Sequence, residues 1–386
     1  MFSSRFHWDF HPNRLTQLLV EKRRLKVPLL DLTESNPTHA GFVYPSELMT
    51  AFNNARAFDY RPEPAGALYA REAVARYYGA RGQQVEASRI LLTASTSEAY
   101  AYLFKLLTNP GDQVMVPRPS YPLFEYLANM ESVEVGQYPL VYQGGWAIDM
   151  DALAAGTTER TRAVVLVDPN NPTGSFVKRA EMEAMVRFCG ERGIALISDE
   201  VFSDYAFAPD ANRAGSVAGV TGCLAFAMSG LSKIAGMPQM KLGWIVVNGP
   251  PQLRDEAIEK LEWIADTYLS VSTPVQSAAE ALLEAGEQVQ RQIRERCAVH
   301  LAEARAALNG SAGNILAVEG GWYITIQVPR VRSEEEWALE LLERDDVLVQ
   351  PGYFYDFASE AYLVVSLLTA PEVFRQGMER LRSHVG

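Results

Sequence analysis

Six short, almost unbroken apolar runs constrain this chain more than any other feature. They are "ILLTAS" (90–95), "DQVMVP" (112–117), "RAVVLVD" (162–168), "IALISDE" (194–200), "CLAFAMS" (223–229) and "LGWIVV" (242–247). A strand with one wet face alternates polar and apolar residues, and these do not alternate. They read as strands covered on both faces, the signature of a mainly parallel sheet. Helical patterns follow the first three: "SEAYAYLFKLL", "YPLFEYLANM" and "RAEMEAMVRFCGERG". In the last, Met182, Met185, Val186 and Cys189 recur at helical spacing, and Gly190 or Gly193 can end the helix. From about residue 250 the pattern turns mainly helical. After "AVEGGWYITIQVP" (317–329) come a few strands and a final helix. The expectation is an α/β fold with helices on both faces of the sheet. A large domain over 45–277 would be joined by a smaller α+β domain built from both chain ends, 1–44 and 278–386.

Composition removes several classes of function. A net charge of −12 opposes nucleic acid or an anionic membrane as partner. No apolar run reaches transmembrane length, and the N-terminal "MFSSRFHWDFHPNR" lacks the apolar segment of a signal peptide. The three cysteines, Cys189, Cys223 and Cys297, are far apart and form no metal-type pair, so a reducing cytoplasm is expected. The five histidines lie at 7, 11, 39, 300 and 384, leaving the middle of the chain with none. That opposes a serine-hydrolase triad and a histidine-ligated metal, and no metal is expected. A glycine-rich dinucleotide fingerprint and a phosphate-binding P-loop are also missing. Chemistry in the middle of the chain must use Lys, Asp, Ser, Thr, Asn and Tyr.

In sheets of this kind ligands sit beyond the carboxyl ends of the strands. "TASTSEAY" places Ser95, Thr96 and Ser97 where a strand passes into a helix. Read alone it is an N-cap completed by Glu98, but a helix N-terminus also suits a phosphate. "DPNNPTG" (168–174) read alone is a turn. Asp199 ends "ISD", and a carboxylate there costs desolvation unless a cation partners it, either a side chain or a protonated ring nitrogen. "MSGLSKIAGMPQMKLGW" (228–244) holds Lys233 and Lys241. A lysine in a tight, partly dry turn has its pKa lowered and its amine freed to react.

Taken in this order, "NNPTG", "SDEVF" and "SGLSK" with "KLGW" resemble the class I/II aminotransferases. These are fold-type-I enzymes that use pyridoxal 5'-phosphate (PLP). The resemblance runs from "LDLTESNP" (30–37) to "YLVVSLLTAPE" (362–372). It implies that Lys233 holds PLP as an aldimine and moves the proton between substrate and cofactor. Asp199 would pair with the pyridinium nitrogen, Asn171 would donate to O3′, and Tyr121 would stack on the ring. Ser95, Thr96 and Ser97 would hold the phosphate. Lys241 stands where the family usually has a phosphate-binding arginine. Gly230 stands where it often has a serine, with Ser229 and Ser232 on either side to compensate. Tyr60 matches a tyrosine that reaches the neighbouring subunit's phosphate, which implies a homodimer.

Other departures bear on the substrate and the cofactor's surroundings. The arginine that clamps an α-carboxylate is replaced by Val364, and the position that reads a second carboxylate falls near the uncharged Tyr268. Val364→Arg is expected to raise activity toward common α-amino acids if the pocket can take the volume. Phe202 replaces the usual tyrosine donor to O3′, and Tyr205 is a possible substitute. Trp322, Tyr353 and Tyr355 would pack in the small domain or line the mouth of the site. The expected activity moves an amino group from an amine or amino acid to a keto acceptor in the cytoplasm. A C–S lyase, a cyclase and a catalytically silent PLP-binding relative remain alternatives. A PLP-sensing regulator has no room for its DNA-binding module before the pattern starts near Leu30. Borohydride reduction of the PLP-loaded protein should fix the pyridoxyl group on Lys233. Peptide mapping that found it on Lys241 would overturn the register of every assignment above.

Overall fold

The computed structural model describes residues 2–6, 8 and 11–386; Met1, His7, Asp9 and Phe10 lie outside the described residues. In chain order the strands are β1 (Leu30–Asp31), β2 (Ile90–Thr93), β3 (Gln113–Arg118), β4 (Glu134–Tyr142), β5 (Trp146–Ile148), β6 (Thr161–Val167), β7 (Ala195–Asp199), β8 (Ala225–Gly230), β9 (Gly243–Asn248), β10 (Asn314–Ile315), β11 (Tyr323–Gln327), β12 (Val347–Leu348), β13 (Gln350–Pro351) and β14 (Tyr362–Ser366). Eight of them form one sheet in the order β2-β9-β8-β7-β6-β3-β4-β5.

The apolar runs lack alternation because both faces of this sheet are covered. Ile90, Leu92, Val164, Leu166, Leu196 and Trp244 point into one core cluster. Their chain neighbours Leu91, Val165, Ile197 and Ile245 point into another on the opposite face. The helix Arg179–Arg192 buries Met182, Met185 and Cys189, and Gly193 ends it in the left-handed conformation at φ 63°.

The central strands β8, β7, β6, β3 and β4 pair in parallel. "LGWIVV" departs from that pattern, since β9 is antiparallel to both β8 and β2. The physical reason is what the connection lacks. A parallel crossover usually carries a full helix across one face of the sheet. Between β8 and β9 the chain makes only the four-residue helix Leu231–Ile234 and a 3-10 turn, Pro238–Met240, so it doubles back.

A second, antiparallel sheet has the order β10-β11-β14-β13. β1 pairs with β12, tying the two ends of the chain together. The 36-residue helix Thr273–Leu308 buries Ala278, Leu282, Val289, Ile293, Cys297 and Leu301 along one stripe. Among the described residues no helix is long and apolar enough to cross a membrane.

The same helix carries His300, which donates from Nδ1 to Leu367 O at 2.9 Å and stacks on Phe374 at 4.1 Å. Burial pushes its pKa down to about 4; the Leu367 bond opposes this, and the Arg296 and Arg375 charges reinforce it. The folded protein therefore holds a neutral ring. The resulting stability is present above the unfolded pKa of about 6.5 and is lost as pH falls toward about 4. Urea midpoints measured between pH 7 and 4 should fall less steeply in His300→Gln, which keeps a donor and cannot titrate. An equal slope would show that His300 contributes nothing to acid sensitivity.

Candidate active site

The carboxyl ends of β7 and β8, the start of β9 and the helix Thr96–Leu107 enclose a cavity of about 290 Å³. It brings together Ser95, Thr96, Ser97, Tyr121, Asn171, Asp199, Ser232, Lys233 and Lys241. Tyr60 is the one expected site residue that does not line it. That side chain is 73% exposed and borders a separate crevice with Arg61 and Gln276.

Lys233 sits in the four-residue helix directly after β8. Its Nζ lies 5.0 Å from the centre of the Trp322 ring and 5.8 Å from that of Phe202. Burial lowers its pKa and the negative charge of Asp199 opposes that shift. The sequence signal for a desolvated amine thus has a structural counterpart.

Asp199 ends β7. Burial raises its pKa to about 6. The Val201 N–H and the Tyr100 hydroxyl, each at 3.3 Å, and the Lys233 charge act in the opposite direction. A cation placed against this carboxyl would stabilise its ionised form. Asn171 is 8% exposed, and its Oδ1 has no hydrogen-bond partner. A buried acceptor of this kind costs stability unless a ligand donor meets it, and a donation from Asn171 to O3′ would come from Nδ2 instead.

The capping reading of "TASTSEAY" is seen directly. The Ser95 hydroxyl caps the helix by accepting from Glu98 N at 3.1 Å, and Glu98 Oε2 accepts from Ala94 N at 2.7 Å. Thr96 and Ser97 are the first helical residues, whose N–H groups have no partner within a helix. With Ser232 and Lys241 they put hydroxyls, amides and a cation at one end of the cavity. Lys241 takes the left-handed conformation at φ 52°, a cost for a non-glycine residue.

The missing serine at 230 has a steric cause. A Cβ on Gly230 would lie 2.9 Å from both Gly243 Cα and Leu242 O, where β8 and β9 meet. Of the two flanking hydroxyls, Ser232 lines the cavity, whereas the Ser229 Oγ is buried without a partner and outside the lining.

The tyrosine question resolves against Tyr205. Its hydroxyl donates to the Lys233 backbone carbonyl at 2.5 Å and does not line the cavity, where Phe202 does. Val364 also has a definite setting. It is fully buried in an apolar cluster with Trp146, Leu316, Tyr355 and Phe357, so the pocket does not have the volume that Val364→Arg requires. Tyr268 packs on Tyr102 outside the cavity. Trp322 is core, Tyr353 is exposed, and Tyr355 lines an outer cleft.

Ser35, Phe124 and Tyr323 line the cavity without having been singled out. Tyr323 follows Trp322 at the start of β11, and the strand period of two turns its ring to the face opposite its neighbour's. Ser35 comes from the N-terminal segment and carries no local signal.

This donor set suits PLP. A phosphate finds N–H groups, hydroxyls and a lysine, a ring nitrogen finds Asp199, a ring face finds Tyr121, and an aldehyde finds Lys233. Among the described residues no group of three or more His, Cys, Asp or Glu could hold a metal ion.

Known proteins agree with the geometry. The family model for aminotransferase class I and II matches residues 27–381. The chain is 29% identical over 271 residues to glutamate-pyruvate aminotransferase AlaA of Escherichia coli K12, covering 69% of this chain and 67% of AlaA. It is 29% identical over 303 residues to arginine–pyruvate transaminase AruH of Pseudomonas aeruginosa, covering 78% of this chain and 75% of AruH. A solved Thermus thermophilus aspartate aminotransferase double mutant superposes with a TM-score of 0.86 at 25% identity, covering 100% of this chain and 99% of that one.

Gly230→Ser, which restores the serine that the resemblance leads one to expect, should therefore damage the protein. Overpacking between β8 and β9 should cost about 1–3 kcal/mol. Urea unfolding measures it, and an unchanged midpoint would show that the strands can part.

Proposed function

The chain belongs to the class I and II aminotransferases, PLP-dependent enzymes that move amino groups between amino and keto acids, and we propose that Lys233 is the amine that carries this chemistry. The observation that carries the reading is a half-buried lysine of lowered pKa and the half-buried Asp199 lining one cavity. Bound PLP supplies the electron sink for the carbanion left at the substrate Cα. In our reading Asp199 keeps a positive charge on the ring nitrogen, which makes that sink effective. Lys233 Nζ would hold the cofactor through its aldehyde carbon and would be the base that moves the proton at the substrate Cα. Asn171 donates to O3′ without help from Phe202 or Tyr205. Thr96, Ser97, Ser232 and Lys241 hold the phosphate.

The donor side chain points, in this reading, across Tyr121 and Phe124. Both residues also line an outer cleft of about 650 Å³. That cleft is bordered by Tyr126, Phe354 and Tyr355 and by the acids Glu125, Glu134 and Asp356. Among the described residues Lys233 and Lys241 are the only cations lining either space. A second carboxylate would meet like charge there. We therefore read the donor as a neutral or basic amino acid. The glutamate in AlaA's name and the aspartate of the superposed structure are not carried over.

A homodimer is part of this reading. It is supported by Tyr60 and Arg61, both exposed and outside the cavity of their own chain. A cytoplasmic setting is supported by three free cysteines.

The test mixes the PLP-loaded protein with single amino acids and follows the cofactor spectrum. Neutral and basic donors should convert it to the amine form, aspartate should do so far more slowly, and Lys233→Ala should do so with none. A ketone released without the amine form would mean a lyase. Aspartate as the fastest donor would refute the charge argument.

A further inference from the structure

The helix that bears Lys233 is four residues long, so its carbonyls have few partners of their own. Side chains from three distant segments take two of them and the Gly236 carbonyl just beyond. Tyr205 Oη donates to Lys233 O at 2.5 Å, Gln290 Nε2 to Ile234 O at 2.7 Å, and Tyr44 Oη to Gly236 O at 2.5 Å.

Gln290 is 5% exposed, within the buried stripe of the helix Thr273–Leu308. Its Nε2 also donates to Asp204 Oδ2 at 2.7 Å, so both amide hydrogens are used. Asp204 is fixed in turn. It accepts from Arg81 Nε and Nη2, each at 2.7 Å, and from Tyr77 Oη at 3.0 Å. Gly286, one turn before Gln290, lets the helix come this close. A Cβ there would sit 2.5 Å from the Ala235 Cβ.

We infer that Gln290 and Tyr205 are positioning residues for Lys233, with Asp204 and Arg81 setting the direction of the Gln290 amide. This rests on Lys233 being the PLP-binding amine. Among the described residues no hydrogen bond holds the Lys233 Nζ itself. Its location is therefore set through its backbone. An apolar residue at 290 would continue the stripe formed by Val289 and Ile293, yet the chain places a fully used amide there. The phenol at Tyr205 serves the same end. It grips the carbonyl of the reactive residue and leaves Phe202 beside the cavity.

The network grips the backbone carbonyls of Lys233 and Ile234 and bonds to no side chain of the phosphate cradle, and the test exploits that separation. The rate at which apoprotein captures added PLP on Lys233 is followed by absorbance and by borohydride trapping. Non-covalent PLP affinity is measured by equilibrium dialysis in a Lys233→Ala background. Gln290→Leu and Tyr205→Phe should each slow capture by about tenfold or more, since misplacement by an ångström can cost about 10²-fold. Neither should change the non-covalent affinity by more than about twofold, because the phosphate contacts are intact. Unchanged capture, or capture and affinity falling together, would overturn the inference. Tyr205→Phe removes a single oxygen and keeps the test open if Gln290→Leu does not fold. Wild-type apoprotein that leaves Lys233 unmodified would overturn the assignment of Lys233 itself, a result separate from either variant's.

Discussion

The close antiparallel contact of β8 with β9 is the constraint on which the site depends. Gly230 faces Gly243 in register, and a side chain on either would meet the other strand or its neighbours within about 3 Å. Two glycines let the strands close at that point, so the chain can turn back sharply after β8. The turn delivers Lys233 on its way out and Lys241 on its return, and both reach one cavity. A longer, helical crossover would have made β9 parallel and carried Lys241 away from the carboxyl ends of the strands. The same closeness leaves no room for a side chain at 230, and Ser232 is the neighbouring hydroxyl that lines the cavity.

Electrostatics follow from burial. Asp199 and Lys233 each lose hydration, and each shifts toward neutrality. Their mutual attraction offsets part of that cost, and a cationic ring nitrogen at Asp199 would offset more. Farther out the balance reverses. The outer cleft is bordered by acids, and the position where an arginine is expected is occupied by Val364 in an apolar cluster. The cavity carries opposite charges in Asp199 and Lys233, while the acids at the outer cleft have no cation among the residues that line it.

Rigidity around Lys233 comes from outside its own helix. The carbonyls after β8 are held by Tyr205 from the segment after β7, by Gln290 from a long helix and by Tyr44 near the chain start. These residues lie far apart in sequence and carry no shared motif. Their function is visible only once the carbonyls they satisfy are known.

The sequence by itself determined the sheet, because only burial on both faces selects unbroken apolar runs. It also determined the strand-end residues, because the carboxyl ends of such strands are where ligands bind and where Ser95, Asn171, Asp199 and Lys233 stand. The family pattern in "NNPTG", "SDEVF" and "SGLSK" supplied the roles proposed for them. Tertiary structure alone decided the direction of β9, the choice of Ser232 over Ser229, the burial of Val364 and the diversion of the Tyr205 hydroxyl to a backbone carbonyl. It alone brought Ser35 and Tyr323 to the cavity from opposite parts of the chain. The division has one physical reason. Hydrophobic period and strand-end chemistry are local and are written in neighbouring residues. Which polar group meets which partner depends on distances set by packing between segments that the sequence does not place side by side.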